Sequence, residues 1–247
     1  MTITREATAG LKKLARAERV TLFMALLGAY QLLLASLNGQ QDIVVGSPTA
    51  GRNRRETEAL IGYFVNTLVL RTDLSADPSF RETLSRVRSV ALDAYANQDV
   101  PFEKLVEELQ PGRTLSHNPL FQVWFVLQNA PSDRGEWFEL EVTPVEVESA
   151  TTRHDLQLTL WETADGIEGA FTYSTDLFDA ETIAIIAEQF TGLLEIVIGD
   201  PETRLSGLHA RLDELGRELR QRGLQRLEEA SHQRLRSVKR RSVSDKL

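Results

Sequence analysis

Four histidines, His117, His154, His209 and His232, are the side chains of this 247-residue chain whose ordinary pKa suits proton transfer near neutrality. No two are adjacent, and no His-x-x-x-Asp-Gly run occurs. A positioned general base contributes about 10²–10⁴-fold to a reaction, and no residue here is placed to supply it. The chain has no cysteine, which removes thiol catalysis, thiolate metal sites and disulfides together. His154-Asp155 could begin a metal site, but no second ligand cluster accompanies it, so a structural role is expected. Binding chemistry is better represented. Arg52, Arg54, Arg55 and Arg71 could each meet a phosphate through a bidentate fork, or could be ordinary surface arginines. Asn66 and Thr67 stand among apolar strand residues; if they face inward they need partners, from a ligand's amide or from neighbouring backbone. Asp99 before Pro101 in Gln98-Asp99-Val100-Pro101 reads as a helix cap. Gly62 before Tyr63-Phe64 suits a tight turn or a close backbone approach.

The elements that must hold these residues can be read from periodicity. Residues 5–18 form a helix with Leu11, Leu14 and Ala15 on one face. Thr21 caps a second helix, apolar on most sides and therefore buried, that ends at Asn38-Gly39. A strand covers 43–48, and a polar loop with three arginines follows. Residues 63–74, rich in β-branched and aromatic types, form a strand. Asp77-Pro78 caps a helix in which Phe80, Leu84, Val87, Ala91 and Tyr95 recur at helical spacing, and Pro101 opens a shorter helix that stops at Pro111-Gly112. Four strands are predicted over 121–128, 137–147, 154–162 and 167–175, with Asp165-Gly166 as the hairpin signal between the last two. Asp179 caps a long helix whose stripe runs Ile183, Ile186, Ala187, Phe190, Leu193, Leu194 and Val197. Burying that stripe is worth roughly 10 kcal/mol, as an upper bound. This order of helices and strands predicts a two-layer α/β sandwich.

The net charge of −8 is unevenly spread. Residues 204–247 hold 12 Lys+Arg against 6 Asp+Glu, while 1–203 hold 16 against 30. This divides the chain into an acidic body, 1–203, and a basic helical tail, 204–247, read as a linker or docking element. The tail opens with Leu205, Leu208, Leu212, Leu215 and Leu219, an a/d seam of two heptads that breaks at Gly223. Two heptads are short for a coiled coil, so docking on the body is an equal prospect. Arg236, Lys239, Arg240 and Arg241 then give the end its positive charge. Without interleaved aromatics this is a poor nucleic-acid surface. No run of 18 uncharged apolar residues and no apolar leader are present, so neither a membrane span nor secretion is expected, and the expected location is cytoplasmic. No Walker loop, dinucleotide fingerprint or nucleophile elbow occurs.

Three stretches then bring a family into view. Ile61-Gly-Tyr-Phe-Val-Asn-Thr-Leu-Val-Leu-Arg71, Asn97-Gln-Asp-Val-Pro-Phe-Glu103, and Ser116-His-Asn-Pro-Leu-Phe-Gln122 with Arg113 before it stand in order at short spacings. They resemble the motifs (I/V)GxFVNT…R, (H/N)QDxPFE and RDxSRNPLF of the condensation domains of nonribosomal peptide synthetases, with His117 in place of the usual arginine. Gly46–Arg52 and Phe171–Phe178 also resemble family segments. The resemblance covers about residues 10–219. It implies the C-terminal lobe of a pseudo-dimer, each lobe similar to chloramphenicol acetyltransferase, with a tunnel between lobes for phosphopantetheine arms. Arg52, Gly62, Phe64, Asn66, Thr67, Arg71, Gln98 and Asp99 would line this lobe's share of that channel, and a pantetheine amide would be a partner for Asn66 or Thr67. The family's HHxxxDG motif, which belongs to the first lobe, has no counterpart in this chain.

The resemblance therefore implies no directly bound cofactor, only the phosphopantetheine arm of a peptidyl carrier protein as ligand. The favoured expectation is a binding platform for that carrier, an adjacent synthetase domain or a tailoring enzyme. Half of an active condensation domain completed by another lobe is the alternative, and a homo-oligomeric acyltransferase is disfavoured by the missing histidine.

Overall fold

A computed structural model describes residues 1–52, 55–58, 60–110, 118–128 and 151–237, the side chains of residue 58, residues 226–228 and residues 230–237 excepted. The strand expected over 137–147, together with Arg54, Arg113, Ser116, His117, Lys239, Arg240 and Arg241, lies outside the described residues. A three-residue strand β1 (Thr2–Thr4), too short to leave a periodic signal, precedes α1 (Arg5–Ala17). Helix α2 (Leu22–Asn38) is capped by the Thr21 hydroxyl, which accepts from Met24 N, and ends on Gly39 at φ 69°. Thirteen of its residues from Met24 to Ser36 are buried, because it lies between the sheet and the other helices.

The chain continues through β2 (Asp42–Thr49), a single-turn helix α3 (Arg55–Glu58) within the expected loop, β3 (Asn66–Asp73), α4 (Phe80–Ala96), α5 (Phe102–Leu109), β4 (Val123–Gln128), β5 (Leu156–Thr163), β6 (Gly166–Tyr173), α6 (Ala180–Gly199) and α7 (Leu205–Ser237). Among the described residues the sheet has six strands in the order β1-β6-β5-β4-β2-β3. Neighbours pair antiparallel except β2–β4 and β4–β5, which are parallel. The helices supply the second layer. Leu68, Leu70, Phe125, Leu158 and Leu160 of the strands meet Tyr30, Leu33, Leu84 and Phe190 of the helices in one core. The fold is the expected two-layer α/β sandwich.

Several local expectations change. Residues 63–65 lie before β3 rather than within it. The β5–β6 turn is Ala164-Asp165, and Gly166 opens β6 opposite Thr163 with φ 140°, where a β-carbon would run into the Ile3 carbonyl of β1. Ser79, not Asp77, caps α4, in a capping box with Glu82. Asp77 instead caps the start of α7: its carboxylate accepts from Ser206 N at 2.7 Å and Ser206 Oγ at 2.8 Å, which holds it below the usual carboxylate range. Asp77 sits at φ 51° and Ala76 at φ 65°, so two consecutive residues accept left-handed backbone to make that contact.

The tail is not separate from the body. Phe80 N donates to Thr203 O, Arg81 N to Pro201 O and Leu205 N to Pro78 O, stitching the α6–α7 connection to the start of α4. Leu208 and Leu212 are fully buried in the core, with Leu205 packed against it. Of the two prospects for the leucine seam, docking on the body is the one seen: α7 packs on α2 and α6, with Leu215 and Leu219 partly buried, and residue 204 marks no break in packing. The helix runs on past Gly223, but the buried seam does not, since Leu224 is 60% exposed. A β-carbon at Gly216 would press on Gln189 of α6 at 2.8 Å, and one at Gly223 on Glu181 at 2.9 Å, so both glycines let the helices approach. Helix α6 has the length and hydropathy (1.6) of a membrane span, yet Ile183, Ile186, Phe190, Leu193, Leu194 and Val197 pack into the core.

Candidate functional site

Five of the eight residues expected to line a channel meet in one cleft of about 330 Å³: Phe64, Asn66, Thr67, Gln98 and Asp99. Gly51, Tyr63, Val65, Pro101, Phe102 and Glu103 complete its walls. The two motifs that meet here are far apart in sequence, and Asn66 joins them. Its amide nitrogen donates to Gln98 O at 2.8 Å and Val100 O at 2.7 Å, and its carbonyl accepts from Phe102 N at 3.2 Å. Asn66 therefore caps α5 from a neighbouring strand, the task expected of Asp99; the N-cap itself, Pro101, makes no side-chain bond. Of its two possible uses, backbone partners have taken Asn66. It lines the cleft and holds the cleft's two motifs together.

Gln98 bridges in the same way. Its amide nitrogen donates to Tyr95 O at 2.9 Å and its carbonyl accepts from Thr49 Oγ1 at 2.9 Å, tying the end of α4 to the end of β2. Arg52 lies with its guanidinium 4.3 Å from the Phe64 ring centre and donates to the carbonyls of Thr57 and Gly62, so it braces the 57–64 loop. Gly51, at φ 63°, backs onto the Phe64 carbonyl, where a β-carbon has no room. Arg71 stands apart from the cleft. It forks onto Asp42 across β2–β3, with Nε to Oδ1 at 2.9 Å and an outer guanidinium nitrogen to Oδ2 at 2.7 Å. That hydrogen-bonded pairing lowers the Asp42 pKa, and of the two readings open for Arg71 it fits the surface arginine.

Two features were missed in the sequence. An aromatic run, Phe102, Phe121, Trp124 and His154, leads from the cleft along the sheet; the Trp124 and His154 rings stack at 4.7 Å and 10°. Desolvation, and then the charge of Arg153, lowers the His154 pKa, so this histidine is held neutral as a packing ring. The second is an apolar rim. Ile61 is fully exposed at 105%, Tyr63 at 89%, and Leu60, Val65 and Val100 lie open beside them.

A two-layer α/β lobe of the chloramphenicol acetyltransferase type, with a cleft built by these two motifs, defines an acyltransferase-like half. The condensation-domain family matches residues 1–219, and the chain belongs to that family. It is 51% identical to a linear gramicidin synthase of Brevibacillus parabrevis over 203 residues, 81% of this chain and 3% of that protein. It is 45% identical to a dimodular nonribosomal peptide synthase of Bacillus subtilis (strain 168) over 204 residues, 80% of this chain and 9% of that protein. The chain thus spans under a tenth of these relatives. Among solved structures it is similar to the X-domain in its complex with OxyB from teicoplanin biosynthesis, with 32% identity and a TM-score of 0.75, covering 84% of this chain and 46% of that one. The family forms amide bonds between carrier-bound thioesters within multidomain synthetases.

Proposed function

We propose that this chain works by binding: it supplies one wall of a cleft for the phosphopantetheine arm of a peptidyl carrier protein and serves as a platform for that carrier or a neighbouring enzyme. The observation that carries the reading is the convergence of the 61–71 and 97–103 motifs on one cleft through Asn66. Its lining combines Thr67, Asp99 and Glu103 with Tyr63, Phe64 and Phe102. Pantetheine alternates amides with methylenes, so polar and apolar stretches find like partners. No HHxxxDG motif stands among the 247 residues, so the chain brings no histidine for proton transfer at that place. The likeness to an X-domain seen in complex with another protein supports the platform role.

A second reading has its own support. The apolar rim of Ile61, Tyr63, Leu60 and Val65 beside the cleft suits a second lobe laid over it, and the chain is similar in sequence to synthetases. There the chain would be half of an amide-forming domain.

Titration of the fluorescently labelled chain with acyl-loaded carrier protein tests the first reading. Saturable binding, lost when the carrier lacks its pantetheine arm, is expected; no binding to loaded carrier overturns it. Adding a separate first lobe that contains HHxxxDG then tests the second, with amide product as the readout.

A further inference from the structure

Behind the arm cleft lies a cavity of about 360 Å³ that opens between two strands of the sheet. Its origin is local. Strands β2 and β4 pair at one position, Gly46 opposite Trp124, and part beyond it. A side chain at position 46 would run into the Phe121 and Trp124 rings, so glycine permits that single contact. Two residues on, Pro48 has no N–H with which to continue a ladder. The parted strands leave Ser47, Pro48, Thr49 and Ala50 on one side and Val126 and Leu127 on the other, with Phe23, Leu68 and Tyr95 behind. The lining is mainly apolar, and the volume falls within the roughly 300–1,000 Å³ of small-molecule sites.

Gln98 links the residues of the cavity to those of the cleft. Thr49 and Tyr95 line the cavity, Gln98 lines the cleft, and Gln98 reaches across to both through its bonds to Thr49 Oγ1 and Tyr95 O. The two Gln98 hydrogen bonds therefore stand between the two spaces.

We propose that this inner cavity receives the apolar acyl portion carried on the pantetheine arm, and that Gln98 is the gate to it. The proposal rests on the cleft being the arm's site. Continuity selects the occupant: the arm's thioester end, once in the cleft, meets Gln98, and the space beyond offers aliphatic and aromatic walls. An apolar acyl group is therefore favoured there and a charged one is excluded.

The test compares acetyl-pantetheine with octanoyl-pantetheine on the full chain by calorimetry, with nuclear Overhauser contacts read in parallel. Each methylene taken out of water tightens binding about fourfold, so a gain well above tenfold is expected for the longer chain. Contacts between the octanoyl terminal methyl and the rings of Phe23 and Tyr95 are expected in the wild-type chain. Val126→Trp fills the gap and should reduce the octanoyl-to-acetyl ratio to near one. Should that variant misfold, the wild-type contacts still decide. Equal affinity for both thioesters, or contacts confined to the rim residues Ile61 and Tyr63, overturns the inner cavity while leaving the cleft as the arm's site. Failure of both thioesters to bind overturns the two readings together.

Discussion

The first four turns of α7 and the two turns of α5 carry the same pattern, apolar residues at helical spacing with charges between them. In α7, Leu208 and Leu212 are fully buried against α2 and α6. In α5, Phe102, Leu105 and Val106 are half-covered, Leu109 is 60% exposed, and no residue is buried. Helix α7 is pinned by backbone pairs to the start of α4 and by the Asp77 cap. Helix α5 hangs from one asparagine of a neighbouring strand. Periodicity says that a face will be covered; the partner is decided by what the connections bring near it. The short 201–204 link leaves α7 nowhere to go but onto the body, while α5 sits beside the open cleft.

The strongest way to break this contrast is to empty the seated seam. Leu212→Ala should cost about 2–5 kcal/mol, the range for a fully buried leucine whose site relaxes only in part. Urea unfolding followed by far-ultraviolet dichroism reads it, and a loss under about 1 kcal/mol would mean that α7 docks only loosely.

Next in size is the single tether of α5. Asn66→Ala removes two donors and an acceptor and leaves the 98–102 turn unsatisfied, a loss of about 1–3 kcal/mol. Hydrogen exchange at Phe102 N–H should rise with it while exchange in β5 stays unchanged. A uniform rise across the sheet would show that Asn66 supports the core and not the cleft alone. Asp77→Ala strips the α7 cap and should cost about 1 kcal/mol. Because the folded Asp77 pKa is lowered, its contribution is full above the ordinary carboxylate range and fades as pH falls through it. Urea midpoints taken on either side of about pH 4 should differ less in the variant than in the parent.

Much of this is legible in the sequence, and the exceptions share a cause. Thr21, Asp179 and the α4 and α6 stripes stand where periodicity puts them, because a cap and an amphipathic face are properties of adjacent residues. The motifs point to Asn66, Gln98 and Asp99 as one site, which the cleft gathers. Their roles are not legible. Asp99 stands at a proper capping distance in sequence, but Asn66, some thirty residues earlier, arrives first in space. Arg71 reads as either a phosphate contact or a surface arginine until β2–β3 register brings Asp42 beside it. Asp77 reads as a cap for the helix that follows it, because the helix it does cap begins 128 residues later. Side chains that act across the fold leave no periodic trace.

A smaller effect reaches the α5 region through acid. His154 ends the aromatic run that begins at Phe102 of α5, and desolvation lowers its pKa below the ordinary 6.5. The unfolded chain then binds the proton more readily, so the stack's stability is full above that ordinary value and falls as pH drops below it. Tryptophan fluorescence should shift between about pH 8 and about pH 5, and His154→Phe should abolish the shift. An unchanged titration in that variant would assign it to another group.

The smallest change in stability is expected at Leu109, and it sharpens the contrast most. Leu109→Asn alters an exposed apolar residue at the free end of α5, so the unfolding midpoint should move by no more than about 0.5 kcal/mol. If α5 and the Ile61–Tyr63 rim form a surface that a partner covers, the same substitution should weaken binding to loaded carrier or to a first lobe several-fold, since apolar contacts excluded from water dominate such patches. Stability and binding would then separate at one residue, which Leu212 cannot do because its removal damages both. Unchanged binding to both partners would show that α5's open face is solvent-exposed in the working complex, and the difference between the two helices would be one of packing alone.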